Sequence, residues 1–183
     1  DPNIDQFAIQ YNVKSDTELH NGMVEAWNLA RKRYNINMSE SAGFGTGESA
    51  RKKCWACAMA GANVMVLDMD IANTPLSDLE DFRNLIRFMK FTNFNQMIPS
   101  DELASDATDY VLSSGKDFIL YSKDSSKPMG IKRINPGTYE LAWFDCINGR
   151  WTIEPHVRVF KTKTKFEIPC TLGKEVALYL RNE

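Results

Sequence analysis

Three times in the first hundred residues an apolar, strand-like run gives way to a helical pattern, and then the alternation stops. "IDQFAIQY" (4–11) precedes a helix opened by Ser15 and Glu18 at capping-box spacing, with Leu19, Met23, Trp27, Ala30 and Tyr34 at helical intervals. "NINMSE" (35–40) precedes "GESARKKCWACAMAGA" (47–62), whose small residues allow close packing onto a sheet. "NVMVLDMD" (63–70) precedes a third helix, where Ser77 and Glu80 repeat the capping-box spacing and Leu79, Phe82, Ile86 and Met89 form an apolar stripe. Strands joined through helices run parallel, because the crossover must carry the chain back along the sheet. The pattern therefore predicts an α/β domain over residues 1–98, with too few strands to close a barrel by themselves.

The texture changes at "NQMIPSDELASDATDY" (95–110), where Pro99 and several acidic and small residues separate the last helix from shorter strands. From there "DYVLSSG", "DFILYSK", "MGIKRI", "TYELAWFD", "RWTIEP", "KFEIP" and "EVALYLR" read as strands divided by turn residues, predicting an all-β domain over 108–183, an antiparallel β-sandwich or a jelly-roll-like module. Asn148 and Gly149 are expected to form a type I′ hairpin turn, which needs positive φ at both central positions. The chain is thus predicted to be α/β plus all-β.

Composition excludes several classes. A hydrophobic share of 43% with 25% charged residues is that of a globular protein, and a net charge of −2 supplies no broad field for nucleic acid. No apolar run reaches the roughly 18 to 20 residues needed to span a bilayer. Lacking an initiator Met and the regions of a signal peptide, the chain is expected to begin inside a longer protein. The four cysteines do not suggest a disulfide scaffold; Cys54 and Cys57 of "CWAC" share a helix face without a second CxxC and are expected to be packing thiols. No metal or cofactor motif is present.

Glu40 stands at the tip of the second strand, directly before the glycine-rich stretch 43–47. By pattern alone it is either a solvated loop carboxylate or a catalytic one. Glu48 reads as a first-turn helix residue favoured by the macrodipole. Tyr11 and Asn12, at the end of the first strand, and Asp68 and Asp70, at the end of the third, fit polar ligand contacts or loop-anchoring roles equally. Tyr139, Trp143, Phe144 and Trp151 are candidate ligand-stacking aromatics, yet Trp143 and Phe144 are adjacent and must face opposite sides of a strand, so at least one packs inward and burial against the first domain is the expected role.

A strand ending in "SES" (39–41), a helix containing "WACAMAGAN" (55–63), the helix "LEDFRNLIRFM" (79–89) followed by "MIPSDEL" (97–103), then "YELAWFDCINGRW" (139–151) and "FEIPCTLGKEVALYLRN" (166–182), in that order, resemble the C-terminal part of the apiosidase-like glycoside hydrolases. That resemblance spans nearly the whole chain. It implies the last three β-α units of a (β/α)8 TIM barrel of the retaining type, followed by a small β-sandwich sometimes labelled a collagen-binding domain. It further implies that Glu40, at the end of barrel strand seven, is the nucleophile, with Tyr11, Asn12, Asp68 and Asp70 near the carbohydrate substrate. The acid/base of such enzymes comes from strand four, which this chain does not reach. No Trp ends the third strand here, where many retaining glycosidases carry one. The implied partners are a carbohydrate and either the missing N-terminal barrel portion or another chain covering the open sheet edges. The resemblance also suggests a secreted or periplasmic location. The competing expectation is an inactive carbohydrate-binding or structural assembly protein derived from the same fold.

Overall fold

The computed structural model describes residues 3–30, 33–39, 42–65 and 71–183. They are mixed helix and sheet and fall into two compact units, Asp1–Leu85 and Ile86–Glu183.

In the first unit, strands β1 (Gln6–Ile9), β2 (Asn35–Met38) and β3 (Asn63–Val64) form a parallel sheet in that order. Gln6 to Ile9 pair with Asn35 to Met38, and Asn37 and Met38 pair with Asn63 and Val64. Helices α1 (Asp16–Ala30) and α2 (Glu48–Met59) make the crossovers, as the alternation requires. Ser15 caps α1: its Oγ accepts from the backbone N–H groups of Thr17 and Glu18 at 3.2 and 3.3 Å. Leu19 and Met23 of α1, Trp55, Cys57 and Met59 of α2, and Ile36 and Met38 of β2 are all buried. Small residues on α2 let α1 approach closely enough for the buried His20 Nδ1 to lie 2.8 Å from the Ala56 carbonyl oxygen, which identifies Nδ1 as the protonated nitrogen.

Helix α3 (Leu76–Phe91) does not start at the expected capping box. The Pro75 carbonyl accepts from Leu79 N–H at 3.2 Å, so Pro75 occupies the cap and Ser77 already lies inside the first turn. Asp78, the next residue, also lies in that first turn, and its carboxylate accepts from Gly47 N–H at the start of α2.

The second unit contains all seven expected strands: β6 (Tyr110–Ser113), β7 (Phe118–Ser122), β8 (Met129–Ile131), β9 (Gly137–Asp145), β10 (Trp151–Val159), β11 (Thr164–Phe166) and β12 (Val176–Asn182). Two further short strands, β4 (Ile98–Pro99) and β5 (Ala104–Asp106), come from the stretch that reads as a linker. One antiparallel sheet runs β10-β9-β12-β7-β6-β4 and a second runs β11-β8-β5. Pro99 is tolerated because β4 is an edge. The two sheets share one core, with Val111, Leu120, Tyr139, Leu141, Trp143, Leu178 and Leu180 from the first and Met129, Ile131 and Phe166 from the second.

The other face of the larger sheet is covered as well. Phe88, near the end of α3, lies 5.3 Å from the Phe144 ring and stacks on Trp151 at 5.6 Å, while Phe91 sits 4.7 Å from Trp151. Trp143 and Phe144 thus face opposite sides of β9 and both are buried, each against a different partner.

The β9–β10 connection is not the two-residue type I′ turn. Gly149 has φ 65°, but Asn148 has no positive φ. The loop 146–149 is longer, closed by Gly149 N–H donating to the Asp145 carbonyl at 2.9 Å, and is organised around the Asp145 carboxylate. That carboxylate accepts from the Ile147, Asn148 and Gly173 backbone N–H groups and from Asn148 Nδ2, all within 3.0 Å. A buried acid with several donors defines the loop more strongly than the local Asn-Gly preference.

Candidate functional site at the parallel sheet edge

Parallel pairing places the C-terminal ends of β1, β2 and β3 along one edge of the sheet. Ser39, immediately after β2, is held there by its N–H donating to the Ile9 carbonyl at 3.1 Å, and Met65 N–H donates to the Met38 carbonyl at 3.2 Å. Glu40, Asp68 and Asp70 lie outside the described residues. What the structure describes is the frame on either side of them.

Tyr11 and Asn12 leave β1 at this edge. Tyr11 is half-buried against α1 at Gly22, where an added Cβ would come within 3.0 Å of the Tyr11 Cζ atom, so Gly22 is the residue that admits the ring. Asn12 is exposed and sits against the glycine-rich loop: a Cβ added at Gly43 would lie 2.8 Å from Asn12 Oδ1. The backbone of Gly43 and the side chain of Asn12 are therefore placed together, one from the β1 loop and one from the loop after β2.

That second loop is tied down by three side chains. Lys53 of α2 is buried, 5% exposed, and its Nζ donates to the Gly43 carbonyl at 2.6 Å while lying 5.7 Å from the centre of the Phe44 ring. Ser49 Oγ donates to the Phe44 carbonyl at 2.7 Å. Asp78 Oδ1 accepts from Gly47 N–H at 2.9 Å, so a carboxylate of α3 supplies the negative charge favoured at the N-terminus of α2. Gly45 and Gly47 have φ of 73° and 58°, a region closed to most side chains, which is why the loop needs glycine at these two places.

Lys53 and Asp78 were not among the residues singled out from sequence. A signal for Lys53 exists: it falls in the stripe of Ala50, Cys54 and Cys57, the face of α2 that is buried, where a lysine must find an acceptor. Asp78 gives no such signal, since its partner is a backbone group distant in sequence.

Beside this frame, Arg51 pairs with Asp81 at 3.0 Å and links α2 to α3. Burial raises the Asp81 carboxyl above its usual range, and the Arg51 guanidinium offsets part of that rise. Burial likewise pushes the Cys57 thiol up to about 12 and raises Cys54 well above its ordinary value, as expected of packing thiols. Glu48 takes the first position of α2 and pairs with Lys52 one turn on at 2.5 Å. Among the described residues no cluster of three or more His, Cys, Asp or Glu side chains could hold a metal ion, and no helix is long and apolar enough to cross a membrane.

The aromatic side chains weighed as a sugar platform are occupied elsewhere. Tyr139 and Trp143 are in the core of the second unit; Tyr139 OH donates to the Asn135 carbonyl at 3.0 Å and Trp143 Nε1 to Glu154 Oε1 at 2.7 Å. Phe144 and Trp151 pack against α3.

No family profile matches the chain, and no curated protein matches it. Solved structures do. A glycoside hydrolase family 5 protein from Bacteroides vulgatus ATCC 8482 superposes with a TM-score of 0.63 at 13% identity, over 95% of this chain and 47% of that one. A second structure, described as a glycoside hydrolase, gives a TM-score of 0.62 at 13% identity over 94% and 48%. The chain spans about half the length of these neighbours, and its fold is glycoside-hydrolase-like.

Proposed function

We propose that the chain is the C-terminal portion of a retaining glycoside hydrolase, comprising the last three β-α units of a (β/α)8 barrel and a β-sandwich, with Glu40 as the nucleophile. The observation that carries this reading is the parallel edge at which β1 and β2 end. It gathers Tyr11, Asn12 and Ser39, with the anchored loop 42–47 following Glu40 in the chain, in a fold like that of glycoside hydrolases. In barrels of this kind the chemistry is built from the loops at that edge.

A carboxylate there attacks the anomeric carbon and forms a glycosyl ester, while a second carboxyl about 5 to 5.5 Å away protonates the departing oxygen and then activates water. The second carboxyl belongs to an earlier strand of the barrel, in the portion that pairs with this one. Tyr11, Asn12, Asp68 and Asp70 would contact the sugar. The edges of β1 and β3 bear no further strand among the described residues, and Ile4 just before β1 and Phe7 within it are exposed, which supports an N-terminal barrel portion as the partner covering them.

The test uses the protein with its whole barrel. A 2-fluoro glycoside with a good leaving group should label the peptide containing Glu40, and Glu40→Gln should abolish turnover while leaving the circular dichroism spectrum unchanged. Near-normal turnover by Glu40→Gln, or label on another carboxylate, overturns the assignment.

A further inference from the structure

Residues 158–165, Arg-Val-Phe-Lys-Thr-Lys-Thr-Lys, contain four cations and no carboxylate, in a chain whose net charge is −2. With Val159, Phe160 and Thr164, these cations line an open groove of about 260 Å³ between the end of β10 and the start of β11. Phe160, one of the residues lining it, is 77% exposed.

The segment is rooted rather than loose. Val159 and Phe166 are buried in the shared core on either side. Thr164 Oγ1 donates to the Lys161 carbonyl at 2.6 Å, and Ile134 N–H donates to the Thr162 carbonyl at 2.9 Å. Lys165 is paired with Asp106, a carboxyl that Lys163 also helps to hold below its usual range, whereas Arg158 and Lys161 have no ion-pair partner among the described residues. Four cations in one groove, more than the single Asp106 carboxylate paired with them offsets, and an exposed aromatic ring beside them make a surface for a ligand with both negative charge and a flat apolar face. A sugar ring bearing acidic groups has both, since the C–H face of a pyranose lies flat on an aromatic ring.

We propose that this groove binds an anionic polysaccharide, with Phe160 under a sugar ring and Arg158, Lys161 and Lys163 on its acidic groups. The choice of a saccharide over other polyanions rests on the proposed function. A nucleic acid is less well matched: the basic segment is short and the chain as a whole is acidic, so no extended field follows a phosphate backbone. The groove lies in the second unit and would hold the polymer rather than cleave it.

Binding of dextran sulfate to the full chain, with unsulfated dextran as the matched neutral probe, tests this. Dextran sulfate should bind with an affinity that falls steadily with salt, and dextran should not bind. Polygalacturonate serves as a second arm that distinguishes carboxylate from sulfate as the preferred acid. Phe160→Ala should weaken binding about tenfold at fixed salt without altering the salt dependence, by analogy with ring stacking in single-strand recognition. The double variant Lys161→Gln, Lys163→Gln should lower the logarithmic salt slope by about two. Failure to bind either anionic polymer at about 50 mM salt, equal binding by Phe160→Ala, or equally tight binding of a DNA duplex overturns the proposal. Because binding is read without turnover and is measured also on Glu40→Gln, loss of the glycosidase reading and loss of this one are separate results.

Discussion

Replacing Phe88 by Ala separates a packing role for the aromatic cluster on β9 and β10 from a ligand-binding one. Phe88 is fully buried, with its ring 5.3 Å from Phe144 and stacked at 14° on Trp151 at 5.6 Å. Truncating a buried Phe to Ala costs roughly 3–5 kcal/mol, and ring pairs of this kind account for about 0.5–1.5 kcal/mol each within that total. With two such pairs lost, we expect about 4 kcal/mol. A typical urea m-value of about 2 kcal/mol/M turns this into a midpoint lower by about 2 M. The assay is urea unfolding followed by tryptophan emission, with far-UV circular dichroism as a second probe. Phe91→Ala, at an exposed position touching the same Trp151 ring, should cost clearly less. A loss below about 1 kcal/mol at unchanged m-value refutes the reasoning, since no buried Phe with that environment is so cheap to remove. If Trp151→Ala left stability intact and abolished glycan binding, the cluster would be a platform and not a dock for α3.

Further outcomes follow from other parts of the molecule. Burial alone would raise the Asp145 carboxyl, but the bonds from Asn148, Gly173 and Ile147 outweigh it and hold the group below its usual value. Its folded pKa is therefore below its unfolded pKa of about 3.9, so its stabilisation is complete above that value and disappears as pH falls through the folded pKa. Asp145→Asn should destabilise the protein at pH 7 and flatten the acid limb of the stability curve below about pH 4, measured by urea titration at each pH. A thiol reagent at pH 8 should modify the exposed Cys170 rapidly, and Cys54, Cys57 and Cys146 only after denaturation; fast reaction of two or more thiols in the native protein contradicts their burial. Lys53→Met removes the donor to Gly43 while retaining most of the side-chain volume. Because Gly43 is itself open to water, the stability cost should stay near roughly 1–2 kcal/mol, while limited proteolysis within 42–47 speeds up and Lys53→Arg partly restores protection. Equal cleavage rates in wild type and Lys53→Met would show that the loop does not depend on this lysine.

The apolar periodicity carried most of the element order by itself. Alternation of strand and helix up to Phe91 appears as parallel strands joined by helices, because period and crossover length leave a chain few other ways to bury those faces. The Ser15 cap was legible because both partners are within three residues. Trp143 and Phe144 had to diverge because neighbours on a strand always do. What covers each of them was decided only in three dimensions: Trp143 enters a core made by two sheets, and Phe144 meets Phe88 from a helix more than fifty residues earlier. The same holds for the corrected turn and cap. Asn148-Gly149 and Ser77-Glu80 carry valid local signals, worth about 1 kcal/mol for a cap. At the turn, the Asp145 carboxylate, with donors from its own loop and from the distant Gly173, sets a different geometry, and at the helix the first hydrogen-bonded turn starts from Pro75 instead of Ser77. Around the candidate site, Glu40 and the loop glycines could be singled out because chain order makes them neighbours. Periodicity marks Lys53 as buried, but its acceptor lies ten residues away and the donor to Asp78 thirty-one, and only packing decides which carbonyl meets the cation and which N–H meets the carboxylate.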